Sequence, residues 1–228
     1  GKDGSFVSIV SIKGIRKMMK VKTRPLVGTI IKPKLGLKTR DHAEVAYNAW
    51  IGGCDIVKDD ENLSSQKFNT YEERLARTLE KQNQAESETG EKKAYLVNVT
   101  AETKEMMKRA QLAEDLGCKY VMIDIVTAGF AALQSLREAD FKLAIHAHRA
   151  MHGFITRDNS PGVHGEGKLY GFSVSMIFLA KLCRLLGVDS LHGGSPLAKM
   201  EDYGEARYIC KVLQDKNLKP HKKIPTLG

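Results

Sequence analysis

Six short apolar, β-branched runs alternate with six stretches of helical periodicity, and that alternation admits few architectures. The runs are Leu26–Ile31, Cys54–Val57, Ala94–Val99, Tyr120–Asp124, Leu143–His146 and Val188–Leu191. Between them lie Asp41–Ile51, Tyr71–Glu86, Thr103–Leu116, Phe130–Leu136, Phe172–Leu186 and Tyr203–Leu213. Gly52-Gly53, Gly117 and Gly187 each follow a periodic stretch, at the position where a helix wants a left-handed residue. Thr103 is expected to cap the third helix. Strand then helix, six times over, predicts an α/β fold of parallel βαβ units. Two arrangements compete: a doubly wound open sheet and a (β/α)8 TIM barrel.

The polar residues favour the barrel. No Gly-x-Gly-x-x-Gly opens the first helix, which argues against a dinucleotide-binding sheet. Strand one runs into Lys32 and Lys34, and strand two into Lys58, Asp60 and Glu61. Strand three carries Asn98 and strand four Asp124. Strand five leads to His146, His148 and Arg149, and strand six to His192 and then Lys199. In a barrel all these ends open on one face, where sites of this fold are built. A whole barrel takes about 250 residues, and Ile224–Leu227 reads as the start of a seventh strand. The expectation is therefore an incomplete barrel over 25–228. Residues 1–24 read as the tail of a preceding domain and a linker.

Strand two carries the densest chemistry. Along Cys54–Asn62, alternation sends Lys58 and Asp60 to one face and Asp59 to the other, with Glu61 opening the loop. An isolated Lys-Asp-Asp-Glu is most often a solvated turn. Beside five other polar strand ends, it suggests two oxygen ligands for a hard divalent cation such as Mg2+. His146-x-His148 also puts two imidazoles on one strand face, the pattern of a zinc hydrolase.

Composition excludes some readings. The net charge of +9 invites a nucleic-acid partner, yet the one basic cluster, Arg16 to Arg24, lacks interleaved aromatics. An anionic small molecule uses positive charge equally well. The four cysteines are far apart and fall in or beside apolar segments, which suits small hydrophobes in a reducing cytoplasm. The apolar stretch from Phe172 to Val188 is broken by Lys181 and Arg184, so no membrane span is expected.

Three motifs together resemble the large subunit of RuBisCO, ribulose-1,5-bisphosphate carboxylase/oxygenase, most closely its archaeal type. They are Gly28–Leu37 (Gly-Thr-Ile-Ile-Lys-Pro-Lys-Leu-Gly-Leu), Gly52–Asn62, and His146–His152 (His-Ala-His-Arg-Ala-Met-His). The resemblance implies that Lys58 takes up CO2 as a carbamate and binds Mg2+ together with Asp60 and Glu61. It implies that Lys32, partnered by Lys34, handles protons at the reacting carbons, and that His148 stands beside the reacting centre. Arg149 and His192 match residues that grip one phosphate of ribulose-1,5-bisphosphate. Lys199 matches the mobile-loop lysine that stabilises the new carboxylate. CO2 and O2 are then the gaseous substrates, in a homodimer or larger homo-oligomer with shared sites, serving archaeal-type nucleotide salvage.

Departures accompany the match. The loop Gly193–Lys199 carries Pro196 and Ala198 where the family has a more flexible pattern, and Asp158–Gly171 reads as an inserted loop. The family also completes its site with a neighbouring subunit's N-terminal domain and with glycines after strands seven and eight. These 228 residues alone are therefore expected to be inactive. The alternative is a RuBisCO-like enolase or isomerase acting on a phosphorylated sugar without carboxylation.

Overall fold

The computed structural model describes residues 11–156, 173–194 and 203–214. Its elements run α1 (Ser11–Met19), β1 (Gly28–Ile30), α2 (Thr39–Ile51), β2 (Ile56–Lys58), α3 (Tyr71–Thr89), β3 (Ala94–Asn98), α4 (Thr103–Asp115) and β4 (Tyr120–Asp124). There follow α5 (Ile125–Ala128), α6 (Phe130–Glu138), β5 (Ala144–His148), α7 (Gly153–Thr156), α8 (Met176–Leu185), β6 (Ser190–Leu191) and α9 (Tyr203–Gln214). The seventh strand expected at Ile224–Leu227 and the loop Asp158–Gly171 lie outside the described residues.

The six strands form one parallel sheet in the order β1-β2-β3-β4-β5-β6. Each crossover moves one place in the same direction. A doubly wound sheet reverses direction part-way, and this one does not. A flat sheet would hold β2 and β5 about 14 Å apart, three strand spacings. Yet His148 Nε2, at the end of β5, lies 3.7 Å from Glu61 Oε2, just past β2. Side chains stand roughly perpendicular to a sheet, so this sheet curls inward as a partial barrel.

Alternation divides the strands cleanly. Val57, Tyr95, Val97, Val121, Ile123 and Ile145 face outward into the helix layer, against Trp50, Leu75, Met106 and Leu133. Ile56, Ala94, Leu96, Tyr120 and Ala144 face inward and pack on Ile15 and Met19 of α1. Helix α1 thereby covers the inward face at the amino-terminal ends of the strands. Lys58, Asn98, Asp124 and His148 continue the inward rows to the carboxyl ends.

Local chemistry sets several boundaries away from the sequence expectation. Thr103 does not cap α4: Glu102 does, its carboxylate accepting from the backbone N–H of Lys104 and Glu105. A carboxylate satisfies two orphan donors and favours the positive helix end. Helix α3 runs on to Thr89 because left-handed Gly90 (φ 69°) ends it. Helix α8 starts at Met176 rather than Phe172, since Ser175 caps it through the Phe178 N–H. Strand β5 extends to His148, and β2 includes Lys58. Among the cysteines, Cys118 and Cys183 are buried, but Cys210 is exposed on α9.

Candidate active site

The strand register brings the carboxyl end of β2 to the mouth of the curled sheet. Lys58 is only 7% exposed. Its Nζ donates to the Asp59 carbonyl at 2.8 Å and stands 3.4 Å from Glu61 Oε2. Burial lowers the lysine pKa, while Glu61, Asp60 and Asp59 oppose that shift. Asp60 Oδ2 accepts from Lys32 Nζ. Its Oδ1 accepts from the Asn62 backbone N–H at 2.9 Å and the Asn62 side chain at 2.8 Å. Burial works to raise the Asp60 carboxyl, but Lys32 and Asn62 together carry it below the usual range. Glu61 is lowered likewise: its own backbone N–H, Lys58 and His148 outweigh burial.

Strands β5 and β6 supply the opposite wall. His148 Nδ1 sits 3.1 Å from Asp124 Oδ1, at the end of β4, and its ring lies 5.1 Å from that of His192. Arg149 is buried; burial lowers its pKa and Glu205 of α9 opposes this. Deeper in the barrel, His146 Nδ1 is 2.8 Å from Ser190 Oγ, which also bonds the Tyr120 hydroxyl. His146 Nε2 is shut off from solvent with no hydrogen-bond partner.

Burial, with the nearby charges of His148 and Lys58, holds His146 at about 3; burial, His148 and Arg149 hold His192 at about 4. The ordinary histidine value is 6.5. Between these values the unfolded chain binds protons that the folded chain refuses, so stability should fall as pH drops from 6.5 toward 4. His192 is exposed on one side, and solvent screens its share. His146 contributes a slope of at most about 1.4 kcal/mol per pH unit. Urea denaturation at several pH values checks this: His146→Gln should show the shallower acid decline.

The loop after β2 is braced from behind. Asn98 Nδ2 donates to the carbonyls of Glu61 and Leu63, both at 3.1 Å. Arg74 of α3 donates to Asn69 O at 3.1 Å and Ser64 O at 2.8 Å. Arg109 reaches Ser64 Oγ at 3.2 Å. Sequence reasoning assigned no role to Arg74, Arg109, His42 or Tyr95. One signal was available: Arg74 shares the buried face of α3 with Tyr71, Leu75 and Thr78, where a charge needs a partner.

A family model described as the ribulose bisphosphate carboxylase large chain, catalytic domain, matches residues 11–222. The chain belongs to the RuBisCO large-chain family. The ribulose bisphosphate carboxylase of Methanocaldococcus jannaschii is 57% identical over 190 residues, covering 83% of this chain and 42% of that protein. That of Pyrococcus abyssi is 46% identical over 208 residues, covering 90% of this chain and 46% of that one. Octameric RuBisCO from Pyrococcus horikoshii superposes with a TM-score of 0.85 at 43% identity, over 93% of this chain and 48% of its own. Dimeric archaeal RuBisCO from Hyperthermus butylicus gives 0.81 at 42% identity, over 91% and 46%. The chain thus spans a little under half the length of the curated relatives it matches.

In this RuBisCO barrel, Lys32, Lys58, Asp60, Glu61, His148 and His192 meet at one rim, with Arg149 following His148. Lys34 stands apart, exposed, with no hydrogen bond or ion pair among the described residues. Lys199 lies outside the described residues, as does the rest of its loop beyond Gly194. Among the described residues, no three of His, Cys, Asp and Glu group to hold a metal. Glu61 and Asp60 are the carboxylates beside Lys58 on this face of the strand end, and a cation there needs a third oxygen donor.

Proposed function

We propose that this chain is part of the catalytic barrel of a ribulose-1,5-bisphosphate carboxylase/oxygenase of archaeal type. The observation that carries the reading is the meeting of Lys58, Asp60 and Glu61 at one strand end, facing His148 and His192. Two carboxylates and an amine make a poor hard-cation site as they stand. They make a good one once the amine bears an oxygen anion. Lys58 is suited to that change: burial disfavours its ammonium form, and a neutral amine can attack dissolved CO2, releasing a proton as the carbamate forms. Mg2+ would then be held by Asp60, Glu61 and the carbamylated Lys58. Bound there, it would polarise the substrate's oxygens and ease proton loss from the neighbouring carbon.

The chain's own residues supply the rest. Lys32 Nζ, presented over Asp60, is placed to move protons at the substrate's reacting carbons. His148, set between Glu61 and Asp124, orients the reacting centre. Arg149 offers a fork of donors to one phosphate and His192 a second contact. Lys34 and Lys199 would join when substrate arrives, Lys199 stabilising the carboxylate made from CO2. O2 would compete at the same carbon. The dimeric and octameric state of the similar structures supports a homo-oligomer with shared sites. We assign the protein to nucleotide salvage in the cytoplasm. Among the described residues, no helix is long and apolar enough to cross a membrane.

The test is ribulose-1,5-bisphosphate-dependent incorporation of labelled CO2 into 3-phosphoglycerate by the protein expressed from its full reading frame. Incorporation supports the proposal. Solvent proton exchange into the sugar without carbon fixation favours the RuBisCO-like enolase, and neither reaction overturns both readings. The 228-residue chain alone is expected to bind Mg2+ in a CO2-dependent way, by calorimetry, yet to fix no carbon.

A further inference from the structure

Directly behind the candidate cation site lies a charge that the proposed chemistry leaves unused. Asp59 sits between Lys58 and Asp60, points the opposite way, and is wholly buried in the helix layer. Four groups converge on its carboxylate. Oδ2 accepts from the Asn98 backbone N–H at 3.0 Å and from Arg74 Nε at 3.2 Å. Oδ1 accepts from the Tyr95 hydroxyl and lies 3.1 Å from His42 Nε2. Burial works to raise this carboxyl, but Arg74, His42 and Tyr95 outweigh it and hold it well below the ordinary range.

Burying such a pair is costly, and apolar residues of similar volume usually stabilise a helix–sheet layer as well or better. What the arrangement supplies is geometry. The ladder between β2 and β3 ends with Lys58 opposite Leu96, and the Asp59 N–H bonds Leu96 O at 3.0 Å. One step on, the chain turns away into Asp60 and Glu61, and the Asp59 side chain takes up the Asn98 N–H. Asp59 is thus fixed through its amide and its carboxylate. Its carbonyl accepts from Lys58 Nζ. Arg74 and Asn98 extend the same bracing to Glu61 O, Leu63 O, Ser64 O and Asn69 O.

We propose that Asp59 is a positioning residue for the cation site: its buried carboxylate fixes the peptide that spaces Lys58 from Asp60 and aims its carbonyl at the Lys58 amine. The inference rests on the metal reading given above. Groups behind a metal's ligands typically change its affinity 10- to 100-fold when removed. Mn2+ affinity in CO2-saturated buffer, read by electron paramagnetic resonance, is compared for the full-reading-frame protein, Asp59→Asn and Tyr95→Phe. Thermal unfolding and 13C-NMR detection of the carbamate are followed on the same samples. Asp59→Asn should weaken Mn2+ by 10- to 100-fold and lower carbamate occupancy at fixed CO2. Tyr95→Phe removes one bond without stranding a charge, so it should fold normally and still weaken Mn2+ by about tenfold. If the parent binds Mn2+ and Tyr95→Phe matches it within about twofold, the positioning role is wrong and the cluster is only structural. A parent that binds no Mn2+ overturns the metal reading and this inference together.

Discussion

Replacing Lys58 by methionine should abolish the CO2-dependent part of Mg2+ binding and lower carboxylation by roughly a thousandfold or more. The physical reason is loss of the third oxygen donor. Asp60 and Glu61 alone leave a hard cation with too few protein ligands for a defined position. The variant also separates chemistry from folding. Lys58 is buried and desolvated, so a methionine of similar volume relieves a cost of the folded state. The thermal midpoint should hold or rise while function disappears. Lys58→Arg is the matching control, because a guanidinium stays protonated and forms no carbamate. Cation binding by calorimetry with and without CO2, beside labelled CO2 fixation, reads both effects. CO2-dependent Mg2+ binding that survives in Lys58→Met would end the proposed mechanism.

The largest stability effect is expected away from the site, at Arg137. Its Nη2 donates to Asp189 Oδ2 at 2.7 Å, and that oxygen also accepts from the Ile145 backbone N–H at 2.9 Å. Both side chains are buried, and the pair ties α6 to the start of β6 across β5. Gly187, left-handed at φ 84°, packs against the Arg137 side chain, which a Cβ there would meet at 3.4 Å. Arg137→Leu removes the Arg137 cation from the buried Asp189 carboxylate, which keeps the Ile145 N–H. That should cost about 3–5 kcal/mol, or roughly 10 °C in thermal midpoint for a domain of this size. Adding Asp189→Leu should restore much of the loss, since two apolar groups replace a buried carboxylate that has lost its cation. A single variant that unfolds within a degree or two of the parent would show that the pair is solvated.

Much of the architecture was legible in the chain. The short continuous apolar runs at Ala94–Asn98 and Tyr120–Asp124, set between longer stretches of helical period, identify buried strands and helices by length and periodicity. The spacing of Lys58, Asp60 and Glu61 places two of them on one strand face because strand side chains alternate. The motifs around Lys32, Lys58 and His148 pointed to the RuBisCO large chain, the family to which this chain belongs.

Other features required the tertiary structure. Asp59 and Arg74 are fifteen positions apart, and no periodicity says that one will meet the other across a helix–sheet layer. The Glu102 cap displaced Thr103 because two adjacent candidates differ only in which side chain reaches the free N–H groups. His148 and Glu61, or Arg137 and Asp189, are joined by the curl and strand order. Local pattern determines which way each side chain leaves its own backbone. Which partner it finds depends on how distant segments stack, and only the folded chain decides that.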